Sequence, residues 1–533
     1  MGMNDRDDDA WWTTLLDDVR RFGELSADRR AELLVALDEV EPTAAQGVTE
    51  LLVALTPTAP PPVDGRERLL LQSLERVVQP WLYRDPQARL TVDAVACLAA
   101  WYGEPKTANL LRFSLLRTLA VDGSVEALAT LARLAVDAPP ADERQAVMAL
   151  VPLFQPRGES LPGAAALWPT LLDAVAHPTL ASAVVDLANF VFRRRWVVEH
   201  PARERAGELS ALLGELAQRL AQIEEHPERH AATPIELSRI VNEAVALIVG
   251  LCDALALAGD RTVIGKLRQL LELGHRRVQA EAAAALARLG EDEGVDRLLA
   301  LAVEPAVRTR VLAYLDEVGK LEKLEAKWRS PEAQAEGELA AWMAQPTRFG
   351  VAPDELELVE RRTQYWPGYV DPVDCYLFTY EFHRGEKQLG GVGIAGPMTA
   401  ALQADLQDFP PDDIFALYAG LDAEHPDIFE TAPDDLSVEQ TDVWERVNEQ
   451  LGSLGLEDRE LVLWGNFFGE QFAVATATRE GREGVVVVGD QSTDWIPTAA
   501  VGRGVGAREI YAMYKGRKLL KSFNRPPPDG PSS

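Results

Sequence analysis

A short unit that repeats along the chain restricts the fold more than any other feature of the sequence. Four positions recur 29 residues later, with Val278, Leu286, Leu289 and Gly290 followed by Val307, Leu315, Val318 and Gly319. Five positions recur at an offset of 170, with Leu116, Leu119, Asp122, Val125 and Leu128 matching Leu286, Leu289, Asp292, Val295 and Leu298. Since a unit this short cannot bury its apolar side alone, the pattern predicts successive copies that stack on one another.

The sequence around these units predicts one amphipathic helix after another from residue 66 to about 320. One of them has an apolar face made of Leu70, Leu71, Leu74, Val77 and Val78. Another begins at the segment TPIE (233–236), in which threonine caps the helix, proline takes its first position and glutamate completes a capping box. Glycine and proline turns separate the segments at short intervals, which is typical of antiparallel helical hairpins.

The segment VQAEAAAALARLGEDEGVDRLLALAVEPAVRTRVLAYLDEVG (278–319) resembles the short HEAT-like repeats of many bacterial proteins, including phycocyanobilin-lyase subunits. The resemblance covers roughly 250–320 and becomes looser over 66–250, where the helices vary in length. It implies an armadillo-like α-solenoid with a concave face for partners. It implies no reaction, because scaffolds, lyase subunits and DNA-repair glycosylases share this class of repeat.

The predicted fold class is multidomain, an all-α HEAT-like solenoid followed by a smaller α+β domain. We expect an N-terminal helical cap at 1–55, a proline-rich connector at 56–65, the solenoid at 66–335, a linker at 336–353, the α+β domain at 354–524 and a disordered tail at 525–533. The connector contains three consecutive prolines, which cannot continue a helix.

Strand patterns appear only in the last third of the chain. In CYLFTYEF (375–382) the aromatic residues Tyr376, Phe378, Tyr380 and Phe382 alternate with other types, which predicts a strand with one aromatic face. Residues 473–490 predict a β-hairpin with a charged loop at 479–484. Helices are expected at 398–407, 412–422, 437–453 and 507–521, and Ser437 with Gln440 forms a capping box for the third.

The net charge of −31 restricts the partners of the chain. A surface this acidic repels phosphate backbones and anionic membranes, so we expect neither nucleic acid nor membrane as a partner. Residues 371–460 contain 21 Asp and Glu against 4 Lys and Arg, whereas 501–525 is basic. These stretches are interpreted as solvated faces that complement each other, and the alternative is an acidic docking surface for a basic protein.

The cysteines and the N-terminus indicate a cytoplasmic protein. Cys97, Cys252 and Cys375 are scattered and lie in apolar runs, as buried free thiols do in a reducing compartment. The acidic N-terminus MGMNDRDDDAWW has no apolar core of a secretory signal. The apolar run 244–257 is about 14 residues long, too short to span a membrane, and predicts a buried helix.

A glycine-rich motif, GVGIAG (391–396), gives the strongest hint of a ligand site. Its GxGxxG spacing suits a dinucleotide only directly after a buried strand and before a helix. Because the polar segment HRGEKQLG precedes it, a strand end that turns into a helix is the better interpretation. In the alternative, a small-ligand site is lined by Gly391, Gly393, Gly396, Tyr376 and Phe378.

A second candidate site combines basic and aromatic residues. Arg193, Arg194 and Arg195 lie beside Trp196 and between two phenylalanines, a combination that can hold an anion or a partner. The alternative is a helix end whose cations complement the helix dipole.

Other motifs fail on spacing. The stretch Gly259–Lys266 is one residue too long for a P-loop, and Leu267 stands where Ser or Thr is required. His226 and His230 are four apart, but Pro227 between them favours an exposed connector over a metal site. There is no GxSxG motif.

Three classes of function remain open. The first is a non-enzymatic protein-protein interaction scaffold or adaptor that uses the solenoid surface and carries an accessory α+β domain. The second is an α+β domain that binds a small ligand or is catalytic, and the third is a HEAT-like nucleic-acid glycosylase, which the charge disfavours. We expect the first, with another protein as the partner, a basic protein among the candidates, and with no cofactor and no metal.

Overall fold

The computed structural model describes residues 5–40, 45–56, 65–104, 108–384, 387–403, 406, 409–489, 492–498 and 505–524. Among these residues, α-helices occupy the chain up to residue 343, and two antiparallel sheets with three further helices follow. The chain divides into two compact units, Met1–Val295 and Asp296–Ser533. The prediction of a helical part followed by an α+β part is confirmed. Most of the predicted connector (57–64) and the predicted tail (525–533) lie outside the described residues.

The first unit consists of helices. They are α1 (Asp5–Arg20), α2 (Ala27–Asp38), α3 (Ala45–Leu55), α4 (Arg66–Ser73), α5 (Gln79–Arg84), α6 (Val92–Gly103), α7 (Asn109–Asp122), α8 (Val125–Asp137), α9 (Glu143–Phe154), α10 (Ala181–Arg193), α11 (Ala206–Glu225), α12 (Pro234–Leu257), α13 (Ile264–Leu271) and α14 (Arg276–Arg288). Helix α15 (Asp292–Leu301) spans the division between the units. The predicted stripe from Leu70 to Val78 lies on α4 and on the π-helical turn that joins α4 to α5.

Helices of the first unit pack on their neighbours along the chain. Helix α12 packs between α10 and α14, while α11 contacts both α12 and α13. Helix α12 begins at Pro234 with Thr233 as its cap, as predicted, because the Thr233 side chain accepts the backbone N–H of Glu236. Each of the helices α10 to α13 therefore packs on one or both of the two helices that follow it.

Helix α12 is longer than its apolar run suggests. It has 24 residues and is the one helix among the described residues that is long and apolar enough to cross a membrane by length and composition. Half of its most apolar window is buried, and Val245, Ile248, Leu251 and Leu255 belong to the core that it shares with α11, α13 and α14. The burial predicted for residues 244–257 is present at these positions.

The second unit contains two sheets, with helices packed between them and on their outer faces. Its elements are α16 (Pro305–Glu317), α17 (Pro331–Met343), β1 (Glu355–Gln364), β2 (Val373–Arg384), β3 (Lys387–Ala395), β4 (Ala400–Leu402), α18 (Pro411–Asp422), β5 (Ile428–Thr431), α19 (Val438–Ser453), β6 (Leu456–Phe467), β7 (Glu470–Arg479), β8 (Arg482–Val488), β9 (Thr493–Pro497) and α20 (Ala507–Phe523). Sheet A has the order β1-β2-β3-β4 and sheet B the order β5-β6-β7-β8-β9, with every neighbouring pair antiparallel. Helices α18 and α20 share one core with a face of each sheet, while α17 covers the other face of sheet A and α19 that of sheet B.

This order of elements is an internal duplication. The series α17-β1-β2-β3-β4-α18 recurs as α19-β6-β7-β8-β9-α20, with β5 added between the copies. The inner helices carry the sequences IFALYAG (414–420) and IYAMYKG (510–516), which match at a constant offset of 96. A methyl group on Gly516 would overlap the Ala416 carbonyl, and one on Gly420 would overlap the Ala512 carbonyl. Because 416 and 420 correspond to 512 and 516, the two contacts are equivalent, as at a two-fold axis.

Two expectations for this part of the chain are wrong. The helix expected at 398–407 is contradicted at 400–402, which form strand β4 and pair with β3. The first part of the expected linker 336–353 is helical, since α17 extends to Met343 and its Leu339 and Met343 pack on the aromatic face of sheet A. The aromatic strand, the 473–490 hairpin and the other three helices are confirmed, and the Ser437 capping box is present.

Candidate functional site

A groove lined by apolar side chains lies in the first unit. It has a volume of about 740 Å³ and lies between α11, the first half of α12, the start of α10 and a 3₁₀ segment, Thr170–Ala176. We call it the α11–α12 groove. Its lining is predominantly apolar and includes Leu172, Val175, Leu209, Leu212, Leu216, Ile240, Ala244 and Leu247.

The groove exists because α11 has a wider apolar face than its neighbours cover. Leu209, Leu213, Ala217 and Leu220 are buried at helical spacing and form the stripe that faces the core. Leu212 and Leu216 form a second apolar row beside that stripe, and both are only partly buried. The second row leaves the Leu212 and Leu216 side chains partly exposed in the floor of the groove.

The rim of the groove is charged and largely paired. Arg205 contacts Asp173 at 2.5 Å and Glu208 at 3.7 Å, while Arg239 contacts Glu243 at 2.5 Å on α12. These groups are substantially exposed, so each pair adds little to folding stability. Their arrangement keeps charge at the edge and apolar surface in the floor, as in groove sites for amphipathic segments.

The first half of α12 forms one wall of the groove and is weakly covered. Residues 234–243 are exposed or only partly buried, and Ile235 is 84 % exposed. The second half of the same helix is buried, with Ile248, Leu251 and Leu255 at 0 %. One helix thus provides both core and open surface.

The predicted basic and aromatic cluster lies at the end of α10. Arg193 pairs with Asp253 of α12 at 2.6 Å, and the Arg194 guanidinium lies 5.3 Å from the centre of the Phe190 ring. Trp196 packs edge-on against the same ring at 5.4 Å. Arg195 adopts φ 60° and lines an open depression with Phe192 and Val198. Three of the four side chains therefore have packing partners, and anion or partner binding by this cluster stays a prediction.

A buried histidine beside this cluster is fully hydrogen-bonded. The backbone N–H of Ala202 donates to Nδ1 of His200 at 3.1 Å, so Nε2 carries the proton and donates to Oδ1 of Asn189 at 3.0 Å. Asn189 donates onward to the Gly250 carbonyl of α12 at 3.0 Å. Burial and, as a smaller contribution, the nearby Arg193 charge together lower the pKa of His200 to about 4. His200 is a neutral structural link between α10, α12 and the loop that precedes α11.

The glycine-rich motif lies in strand β3 rather than at a turn into a helix. A side chain on Gly391 would overlap the Leu402 carbonyl of β4, and one on Gly393 would approach Leu339 of α17. Gly396 follows the strand with φ 116°, a region that favours glycine. Gly391 and Gly393 thus allow β4 and α17 to lie close to β3.

The two aromatic residues expected beside the glycines are core residues. Tyr376 is 5 % exposed and Phe378 is 1 % exposed, and both pack with α17. Packing accounts for all five positions of the predicted ligand site, so its role in binding stays a prediction.

The Cys375 and Cys252 thiols and the Lys266 amine, which could in principle be reactive, are buried or hydrogen-bonded within the fold. Burial raises the pKa of the Cys375 thiol to about 11 and that of Cys252 well above its usual value, which keeps both protonated near neutral pH. Lys266 donates to the carbonyl and hydroxyl oxygens of Ser210 at 2.6 and 3.0 Å, tying α13 to α11. In the described part of the chain, no group of three or more His, Cys, Asp or Glu is placed to hold a metal ion.

No protein-family model and no curated protein matches the chain. Its function therefore has to be inferred from its own residues. The α11–α12 groove was not predicted from the sequence, although a signal was present. Leu212 and Leu216 make the apolar face of α11 two rows wide, which is more than one neighbouring helix covers.

Proposed function

We propose that this chain is a protein-binding scaffold whose helical unit holds an apolar helical segment of a partner protein in the α11–α12 groove. The observation that carries the proposal is the groove itself, with about 740 Å³ of open space over leucine side chains. Surface cavities with apolar floors and charged rims are the usual places at which proteins take a ligand or a partner segment.

The packing of the first unit supports a scaffold of the HEAT-like, solenoid type. Helices α10, α12 and α14 lie side by side in chain order, and α11 is followed by α13 in a second row. Two rows of this kind are expected where helical hairpins stack on one another. An array of hairpins provides extended surface between its rows, which suits binding more than chemistry.

The dimensions of the groove favour a helix as the occupant. Residues from Arg205, just before α11, to Arg219 on α11 line it, a distance of roughly 21 Å along a helix at 1.5 Å per residue. A bound helix of about four turns would place apolar side chains over Leu212 and Leu216 at i, i+3 or i+4, and i+7. Its polar side would face solvent between the rim pairs.

Affinity purification from the native host with three forms of the full chain tests the proposal. We expect wild type to retain a stoichiometric protein and the double variant Leu212→Glu/Leu216→Glu to lose it, because two carboxylates would be desolvated on binding. The matched control is Leu110→Glu on α7, which changes a leucine that is 48 % exposed and does not line the groove.

The purified variants are also compared by thermal unfolding. The groove variant is expected to lose about 1 kcal/mol or less, since both leucines are only partly buried in the free protein. Equal recovery of the partner on wild type and on the folded groove variant would refute the proposal. Loss of the partner on the Leu110→Glu control would also refute it.

A further inference from the structure

A second exposed apolar feature lies in the second unit, at the corner of sheet B. We call it the aromatic corner and define it as His425, Phe429 and Phe468. Phe429 lies on the edge strand β5 and is 50 % exposed, while Phe468 is 52 % exposed at the turn between β6 and β7. The His425 and Phe468 rings are 4.9 Å apart, and the Phe468 backbone N–H donates to the Asp427 carbonyl.

The turn that presents Phe468 is unusual in its residue type. Phe468 and Gly469 have φ angles of 50° and 87°, so they form the two central positions of a tight hairpin turn with left-handed backbone. Asparagine or glycine is favoured at the first of these positions, and a bulky side chain there is strained. The neighbouring turn of the same sheet has Glu480 and Gly481 in the same conformation, with a solvated side chain. The Phe468 ring therefore does not stabilise the turn, and its exposure to water is unfavourable in the free protein.

The surroundings of the aromatic corner are strongly negative. Between residues 409 and 445 the chain has 11 Asp and Glu and no Lys or Arg. Glu424, Asp427 and Glu430 flank the corner and are exposed. The cations on this side of the unit are paired: Lys515 contacts Glu430 at 3.4 Å and is only 8 % exposed, and Lys518, 6.0 Å from the centre of the Phe467 ring, contacts Glu470 at 2.6 Å. The open side of the corner thus presents aromatic rings among carboxylates.

We propose that the aromatic corner is a docking surface for an arginine-bearing segment of another protein. Guanidinium groups stack on aromatic faces and bind carboxylates with two parallel hydrogen bonds, so arginine uses both components of this surface. A lysine ammonium is more strongly hydrated and has no flat face, so it uses mainly the charge. This surface is separate from the α11–α12 groove and does not depend on the function proposed for it.

Fluorescence anisotropy with two labelled peptides tests this assignment on the full chain. The probes are a peptide of six Arg-Ser dipeptides and its Lys-Ser counterpart, at about 150 mM salt to screen long-range attraction. We expect the Arg-Ser peptide to bind wild type at least about fivefold more tightly than the Lys-Ser peptide. We expect Phe429→Ala and Phe468→Asn each to weaken the Arg-Ser peptide by about five- to tenfold, with little effect on the Lys-Ser peptide.

The variants are chosen so that misfolding cannot imitate the result. Asparagine tolerates the left-handed backbone at position 468, so Phe468→Asn is expected to keep or raise the melting temperature while it removes the ring. Leu454→Ala is the matched control, because Leu454 is 54 % exposed in the acidic stretch 371–460 but lies outside the aromatic corner. None of these changes alters the net charge.

Four outcomes overturn the assignment, and the first three concern relative affinities. They are undiminished Arg-Ser binding to folded Phe468→Asn and Phe429→Ala, equal affinity of wild type for both peptides, and an equal loss of affinity in the Leu454→Ala control. A failure of the Arg-Ser peptide to bind wild type overturns it as well. None of these results bears on the groove variants, so the two proposals fail independently.

Discussion

The helical unit and the layered unit bury their apolar surface in different ways. In the helical unit the helices α10 to α13 pack on helices that follow them along the chain, and α11 has a wider apolar face than those neighbours reach. In the layered unit α18 and α20 lie between two sheets, with glycine contacts that leave no room for a side chain. In an array of helices, apolar surface stays exposed wherever one apolar face is wider than its neighbours cover. In the duplicated sandwich, the two inner helices are buried between the two sheets.

The two units also differ in charge and in the kind of surface that each exposes for binding. The helical unit has 30 Lys and Arg against 43 Asp and Glu, and its main feature is a concave groove. The layered unit has 23 Lys and Arg against 41 Asp and Glu over fewer residues, and its main feature is the aromatic corner with two exposed phenylalanines. We infer that the two units bind different classes of partner segment, apolar in the groove and basic at the corner.

The largest expected effect tests how tightly the layered unit is closed. Gly516→Ala places a methyl group against the Ala416 backbone, where no flexible side chain can give way. We expect the free energy of unfolding of the second unit to fall by about 3 kcal/mol, as for severe overpacking of a core. Hydrogen exchange over residues 411–422 and 507–523 measures the loss directly.

The control for this substitution lies in the helical unit. Gly207 is on α11 and has open space where a methyl group would be placed. Gly207→Ala is expected to be neutral or to stabilise by up to about 1 kcal/mol, because alanine favours a helix over glycine. Equal changes in the free energy of unfolding for Gly516→Ala and Gly207→Ala would show that the α18–α20 contact is not closely packed.

A smaller effect is expected from the pH dependence of the helical unit. His200 has a pKa lowered to about 4 in the folded protein, against an ordinary value of about 6.5. Below pH 6.5 the unfolded chain takes up a proton that the folded chain does not, so stability falls as the pH falls toward 4. We expect a loss of about 2 kcal/mol between pH 7 and pH 5 from this group.

The measurement compares urea unfolding of wild type and His200→Gln at both pH values. The variant removes the titrating group, so its stability is expected to change less over this range, by the amount assigned to His200. An equal change in both proteins would mean that the buried link from Ala202 through Asn189 to Gly250 does not hold a neutral histidine.

Features with local signals were predicted well. The caps at Thr233 and Ser437 and the alternation in 375–382 depend on neighbouring residues, and the structure places helices and a strand there. The prediction of a helix at 398–407 rests on interpreting the glycine-rich segment as a strand end that turns into a helix, and strand β4 at 400–402 contradicts it. The glycines of β3 instead allow two other elements to approach, and such close approach between distant segments leaves no periodic signal in the sequence.

The duplication and the candidate sites were harder to derive. The matching heptapeptides IFALYAG and IYAMYKG are visible in the sequence, but the strands between them have diverged, so the repeat becomes clear only from the order of elements. Predicting the groove from the sequence would require knowing which neighbouring helices leave Leu212 and Leu216 uncovered. Packing roles could be assigned to glycines and buried rings, whereas open surfaces could be found only in three dimensions.

The central claim is that the α11–α12 groove holds a segment of a partner protein. Photo-crosslinking in the native host measures this directly, with a photoreactive phenylalanine analogue in place of Leu216 in one form and of Leu110 in the other. We predict one discrete crosslinked protein from position 216, mapped to an amphipathic helical segment, and none from position 110. No crosslink from position 216, or the same products from both positions, would contradict the claim.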